Sequence, residues 1–177
     1  MSGLLIVLAG LPGAGKTTLA RALAARTGAV HLRIDTIEQA LRHAGIAPEE
    51  EGYAIAMALA GDQLALGHVV IADAVNAVEQ ARRGWRATAA GAQARLVEIE
   101  VCCSDAIEHR RRVETRRADI AGLELPDWAR VSARDYAPWD HPPLRIDTAH
   151  RTADDCVAEL LPQLPRATDA ALARDQA

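Results

Sequence analysis

The sequence predicts an α/β domain on a mostly parallel sheet, and three observations carry that prediction. Short apolar runs alternate with longer amphipathic stretches along the chain, the order in which successive βα units are written. The first run, residues 4–9, is apolar without alternation, as expected of a strand covered on both faces. A glycine-rich turn then joins that run directly to a helical pattern. At 177 residues the chain is long enough for one well-buried core.

The elements follow in order. Residues 4–9 form the first strand, 10–15 the turn and 16–26 the first helix. Residues 30–34 are a second strand, 36–43 a helix and 44–52 a loop. Residues 53–66 are an Ala/Leu-rich helix, with Gly67 placed to cap it. The third strand, 69–72, is closed by Asp73 and followed by a helix over 78–90. Residues 95–101 are a fourth strand; Glu98 and Glu100 share one of its faces, so that face is expected to be partly open. Ser104 and Asp105 suit the N-cap of a helix reaching about residue 117. A break over 118–126, a short helix over 127–136 and a Pro-rich turn over 137–143 lead to a fifth strand, 144–146, which ends at Asp147-Thr148. The last helix is 152–161, and residues from Pro162 onward read as a tail. No repeat or linker interrupts residues 1–161, so one domain is expected there.

Composition narrows the partners. A net charge of −4 argues against generic binding to a polyanion, so a nucleic-acid partner is not expected. Three Trp, two Tyr and no Phe leave the core to aliphatic side chains. The three Cys and six His show no ligand spacing and read as structural or surface residues. The N-terminal stretch lacks a basic segment and cleavage site, and no apolar run reaches membrane-spanning length; a cytoplasmic protein is expected. Of 20 basic side chains one alone is Lys, Lys16. It stands where a compact point charge fits better than a wide planar guanidinium.

The segment Gly10-Leu11-Pro12-Gly13-Ala14-Gly15-Lys16-Thr17 fits G-x-x-x-x-G-K-[ST] at each fixed position, between an apolar strand and a helix. Such a turn curls the backbone so that successive N–H groups face phosphate oxygens, and the helix N-terminus adds its positive end. Gly10, Gly13, Ala14, Gly15, Lys16, Thr17 and Thr18 are therefore the predicted ATP-binding residues. Lys16 is placed to reach the β- and γ-phosphates, and the Thr17 hydroxyl to ligate Mg²⁺.

Two carboxylates end strands at the carboxyl edge of the sheet, where open α/β folds bind ligands. Asp35 fits either the N-cap of the following helix or a base that aligns an acceptor hydroxyl for in-line attack. Asp73 fits a Mg²⁺ carboxylate after an apolar strand, or a turn residue. Asn76 either presents its amide to a substrate or is structural. The run over 109–117 is Arg-rich; Arg112 and Arg116 lie one helical turn apart, on one face of the predicted helix. They suit phosphate clamps, the alternative being a solvated basic face. With Ala121-Gly122 as a hinge and Pro126 beyond, residues from about 116 to 136 are expected to form a small lid that excludes water from the γ-phosphate.

Together the loop, the Asp35 segment, Ala72-Asp73-x-x-Asn76 and the Arg-rich helix resemble the predicted P-loop kinases labelled as AAA-type ATPases, a group similar to the polynucleotide kinase domain. The stretch from Tyr136-Ala137-Pro138 through Ile146-Asp147-Thr148 to Asp155-Cys156-Val157 looks like the end of adenylyl-sulfate kinases. The resemblance implies a P-loop NTPase three-layer fold with strand order 2-3-1-4-5, a mobile Arg-bearing lid, and Asp35 as the base. Adenylyl-sulfate kinases stack their substrate's adenine on Phe, and this chain has none. The expected activity is transfer of a phosphoryl group from Mg·ATP to a small-molecule hydroxyl, with the acceptor and the choice between Asp35 and Asp73 as base left open. A conformational-switch NTPase and a nucleic-acid 5′-end kinase are the competing readings.

Overall fold

The computed structural model describes residues 2–165. Strands β1 (Leu4–Ala9), β2 (Val30–Arg33), β3 (Val69–Asp73), β4 (Arg95–Cys102) and β5 (Leu144–Asp147) form one parallel sheet in the order β2-β3-β1-β4-β5. That is the order the resemblance implies. The helices are α1 (Lys16–Thr27), α2 (Ile34–His43), α3 (Glu51–Ala65), α4 (Glu79–Gly91), α5 (Ala106–Thr115), α6 (Trp128–Ser132) and α7 (Ala153–Leu160).

Strand periodicity builds the three layers. Leu4, Ile6 and Leu8 join Leu19 and Leu23 of α1 and Val157 and Leu160 of α7 in one core. Leu5 and Val7 face the other way, toward Ala56, Ala60 and Leu64 of α3 and Trp85 and Ala89 of α4. Each fully buried aliphatic side chain contributes about 1.5–3 kcal/mol. This central strand therefore anchors the loop that follows it.

Several boundaries differ from expectation. Strand β2 stops at Arg33, and the helix starts at Ile34 with Arg33 as an N-cap that makes no side-chain capping bond. Asp35 thus lies in the first helical turn and caps nothing. Helix α5 stops at Thr115: Arg116 still donates its N–H to the Arg112 carbonyl, but its ψ of 148° turns the chain extended. Asp105 is its N-cap, accepting from the N–H groups of Ile107 and Glu108, while Ser104 is not. Helix α6 has five residues, because the chain beyond it is pulled onto the body. There Ala137 N–H bonds to the Ala77 carbonyl, and the fully buried Arg82 donates to the carbonyls of Ala137 and Pro138.

The face shared by Glu98 and Glu100 is partly open, as expected, with Glu100 half-buried, but Glu98 itself is covered. Glu98 is 8% exposed, paired with Arg86 and hydrogen-bonded by His141 at 2.7 Å. At the C-terminal end, Leu161–Gln163 forms a 3₁₀ turn, and Leu161 and Leu164 pack on the first core. The rest of the predicted tail, residues 166–177, lies outside the described residues. No helix among the described residues is long and apolar enough to cross a membrane.

Candidate nucleotide and acceptor site

The loop after β1 is shaped by what presses on it. Gly10 has φ 141°, and a Cβ there would stand 2.1 Å from the Val101 carbonyl oxygen. Gly13 has φ 83°, and its Cβ would meet Val113 Cγ2 at 2.5 Å. Neither position admits a side chain without moving β4 or α5. His109, 7% exposed, lies 2.9 Å through Nε2 from the Pro12 carbonyl, which it reaches as an Nε2–H donor. Thr148 Oγ1 lies 2.8 Å from the Ala14 carbonyl and 3.1 Å from that of Cys102. The loop is thus pinned from α5 on one side and from the end of β5 on the other.

A cavity of about 1160 Å³ opens over this loop, at the carboxyl edge of the sheet. Gly13, Gly15, Lys16, Thr17 and Thr18 line it; Gly10 and Ala14 do not. Gly10 is held under Val101, and Ala14 is buried with its N–H on the Leu11 carbonyl. Lys16 is 8% exposed and donates to the Leu11 carbonyl at 3.0 Å. Burial pulls its ammonium down to about 8; the charges of Asp73 and Asp35 resist that shift, while Arg116 and Arg134 add to it. One ammonium therefore feels both predicted carboxylates and the predicted lid arginine.

Asp73 is 3% exposed and lies 3.2 Å from His31 Nε2. Burial pushes its carboxyl up, but the His31 hydrogen bond, the Lys16 charge and the Thr17 hydroxyl together hold it below the usual carboxylate range. Asp73 and Thr17 thus place two hard oxygen donors side by side, the chemistry Mg²⁺ takes when phosphates and water complete its shell. The described residues hold no group of three or more His, Cys, Asp or Glu that could cage an ion. Asn76 is fully buried: Nδ2 donates to the Leu8 carbonyl at 2.8 Å, and Oδ1 accepts from Trp85 Nε1 at 3.0 Å. It is a structural residue, fully buried and absent from the cavity wall.

Arg112 and Arg116 both line the cavity but differ in their freedom. Arg112 is committed: its guanidinium pairs with Glu108 at 2.6 Å and donates to the Thr148 hydroxyl and carbonyl at 2.8 Å each. Arg116 is not on the helical face they were expected to share. Its Nε and Nη2 are buried with no hydrogen-bond partner among the described residues, a costly state for a cation; burial pulls its pKa down, and the charge of Asp35 resists that shift. Beyond it, Asp119 receives Arg33 Nη1 at 2.9 Å and Arg21 Nη2 at 2.5 Å, which hold its carboxyl down to about 2. Arg33 also reaches Asp35, at 3.4 Å. A single guanidinium thus bridges the segment after α5 to the predicted base.

A family model described as an AAA domain matches residues 5–133. That span is most of the chain. The chain belongs to this AAA domain family. Solved structures share the fold. A putative kinase from Chloroflexus aurantiacus superposes with a TM-score of 0.71 at 19% identity, covering 93% of this chain and 100% of its own. The Mycobacterium tuberculosis APS kinase in complex with AMPPNP and APS gives 0.69 at 20%, covering 91% and 96%. A gluconokinase from Sinorhizobium meliloti gives 0.61 at 20%, covering 98% and 92%. No curated protein matches.

Asp119 and Thr148 line the cavity, while His31 meets Asp73 and His109 the loop; sequence reasoning missed all four. His31 carried one available signal: it stands two residues from the end of β2, beside β3, and pairs in register with Ile71 two residues before Asp73. The lowered Lys16 gives the site a pH signature. Burial pulls the free ammonium down to about 8; if phosphates bind against it as the loop motif predicts, they hold it protonated. Above pH 8, nucleotide binding must take up a proton, and affinity falls as pH rises, by up to about tenfold per unit. Calorimetry at pH 9 in two buffers of different ionisation enthalpy should show uptake of close to one proton. Zero uptake would remove Lys16 from the phosphates.

Proposed function

We propose that this AAA domain protein is a kinase that moves the γ-phosphoryl group of Mg·ATP onto a hydroxyl of a small molecule. The observation that carries the reading is the convergence on Lys16: Asp73, Asp35 and Arg116 all act on one ammonium, inside one cavity. In this reading the loop and Lys16 hold the β- and γ-phosphates, with Gly13, Gly15, Thr17 and Thr18 around them. Thr17 and Asp73 hold Mg²⁺, which when bound neutralises phosphate charge and fixes the triphosphate for in-line displacement.

Asp35 serves as the base. Both carboxylates line the cavity, but that of Asp35 is half-exposed, whereas that of Asp73 is nearly buried and already engaged by His31 and Thr17. The acceptor oxygen bonds to the γ-phosphorus, the bond from that phosphorus to the β,γ-bridging oxygen breaks, and ADP leaves. The acceptor proton passes to Asp35. Arg116, with its unpartnered guanidinium nitrogens, stabilises charge on the moving phosphoryl group. Arg112 braces α5 against Thr148 and so against the loop. The segment from residue 116, drawn down by Asp119 onto Arg21 and Arg33, is the lid that limits water.

The test is ADP release from Mg·ATP across a library of hydroxylated metabolites. At least one acceptor should raise ADP release about tenfold or more over the rate with water alone. Equal release with and without every compound would make water the acceptor and the protein a hydrolase.

A further inference from the structure

The cavity carries more positive charge than its nucleotide needs. Ten Lys and Arg side chains line it against five carboxylates. Mg·ATP carries roughly −2 near neutral pH, which neutralises part of that surplus. Arg21 and Arg33 are paired with Asp119, Arg42 with Glu38, Arg112 with Glu108 and Arg151 with Glu159. Arg116, Arg117, Arg130 and Arg134 line the same space and make no ion-pair contact with a carboxylate among the described residues. If Arg116 serves the γ-phosphate, a cationic group still remains on the acceptor side.

Arg134 follows α6 directly and leads into chain that is bonded to the body. Val131 is fully buried, and Arg134 N–H closes a turn onto its carbonyl. Three residues on, Ala137 N–H bonds to the Ala77 carbonyl at 2.8 Å. The buried Arg82 donates to the carbonyls of Ala137 and Pro138 at 3.0 and 3.1 Å and lies 3.9 Å from the Trp139 ring centre. The chain just after Arg134 is therefore tied to the body, at the segment that follows β3. Its charge acts on Lys16 and on Tyr53, two groups on which Asp35 also acts. Arg134 and Asp35 thus share one neighbourhood beside the phosphate lysine.

Tyr53 adds a constraint on shape. It is the one aromatic side chain lining the cavity among the described residues, and its ring packs 6.5 Å from Trp85. No open stacking platform faces the acceptor, as recognition of a nucleobase favours.

We propose that the acceptor is a small, non-nucleoside anion whose oxyanion group is held by the Arg134 guanidinium while its hydroxyl meets Asp35. This rests on the kinase reading above and names the substrate class for it. A guanidinium fork matches a carboxylate, a phosphate or a sulfate equally in geometry, and placing it at a fixed distance from the base selects molecules whose charge and hydroxyl have that spacing.

Two measurements test it. First, the loop is saturated with Mg²⁺ and a non-hydrolysable ATP analogue, and inorganic sulfate is titrated by calorimetry. Wild type should bind sulfate saturably. Arg134→Gln should weaken that binding about tenfold or more, and Arg134→Lys should recover most of it. The Arg134 side chain is exposed, so both variants should keep the wild-type melting temperature. Sulfate binding that is absent from wild type, or unchanged in Arg134→Gln, overturns the proposal. Second, ADP release is compared for gluconate against glucose and for glycerol 3-phosphate against glycerol, with AMP as an anion that carries a base. An anionic member should exceed its neutral partner by about tenfold in kcat/KM. Arg134→Gln should raise its KM and leave kcat within about threefold. Preference for a neutral member, or for AMP, overturns the proposal even though kinase activity stands. Arg134-dependent sulfate binding without ADP release above the water rate supports the anion site and counts against the kinase reading instead.

Discussion

Asp35→Asn should leave ATP affinity within a few-fold and lower acceptor-dependent turnover by on the order of 10²-fold or more. The amide is near isosteric but neither takes the acceptor's proton nor aligns its hydroxyl as a charged acceptor. The structure removes the simplest competing explanation for a loss. Asp35 is not the helix cap, so the substitution leaves no orphaned N–H groups at the start of α2. Its one ion pair among the described residues, with Arg33 at 3.4 Å, is long and half-exposed, a contact of about 0–1 kcal/mol. The melting temperature should therefore hardly move, and Arg33 retains Asp119. Single-turnover kinetics at saturating Mg·ATP separate the outcomes. Turnover within a few-fold of wild type would mean that Asp35 takes no proton, and the base would have to be sought elsewhere on the cavity wall.

What could be read from the sequence follows from how far apart the interacting residues lie. The phosphate loop is contiguous, and its glycines are demanded locally by backbone shape. Asp35 and Asp73 were legible because the carboxyl ends of β2 and β3 meet at one sheet edge, although Asp35 stands two residues beyond its strand. The strand order came from the resemblance, not from periodicity. The supports of the loop were out of reach: the His109 bond to Pro12 spans 97 residues and that of Thr148 to Ala14 spans 134. Neither residue has a local pattern that marks it. The basic run was visible, but the division of labour within it was not. Helical spacing placed Arg112 and Arg116 on one face, whereas the helix ends between them; Arg112 then spends its donors on Glu108 and Thr148 while Arg116 keeps two without partners. Glu98 shows the same limit in reverse. Alternation in a strand marks polar residues as outward, but says nothing of an Arg–His pair arriving from α4 and the Pro-rich turn to cover them.

Lys16→Met should lower turnover by about 10³-fold or more and remove the thermal stabilisation that ATP gives, without lowering the melting temperature of the free protein. In the kinase reading the ammonium meets the β- and γ-phosphates, so its loss is felt most as the phosphoryl group moves. Stability moves the other way. The folded protein holds Lys16 near 8 against an ordinary value of 10.5, so below pH 8 the charged form is disfavoured by on the order of 3 kcal/mol relative to the unfolded chain. The sign is that of a depressed Lys: the penalty is full below pH 8 and fades as pH rises toward 10.5. Methionine fills most of the same volume with no charge to desolvate, although Asp73 loses part of its own compensation. At neutral pH the variant should melt at or above the wild-type temperature. At an ATP concentration 100 times Kd, wild type should gain about 2.7 kcal/mol from the nucleotide and the variant almost none. Differential scanning calorimetry with and without Mg·ATP reads both effects. A variant that melts normally and still gains the full nucleotide shift would show that the phosphates bind without Lys16.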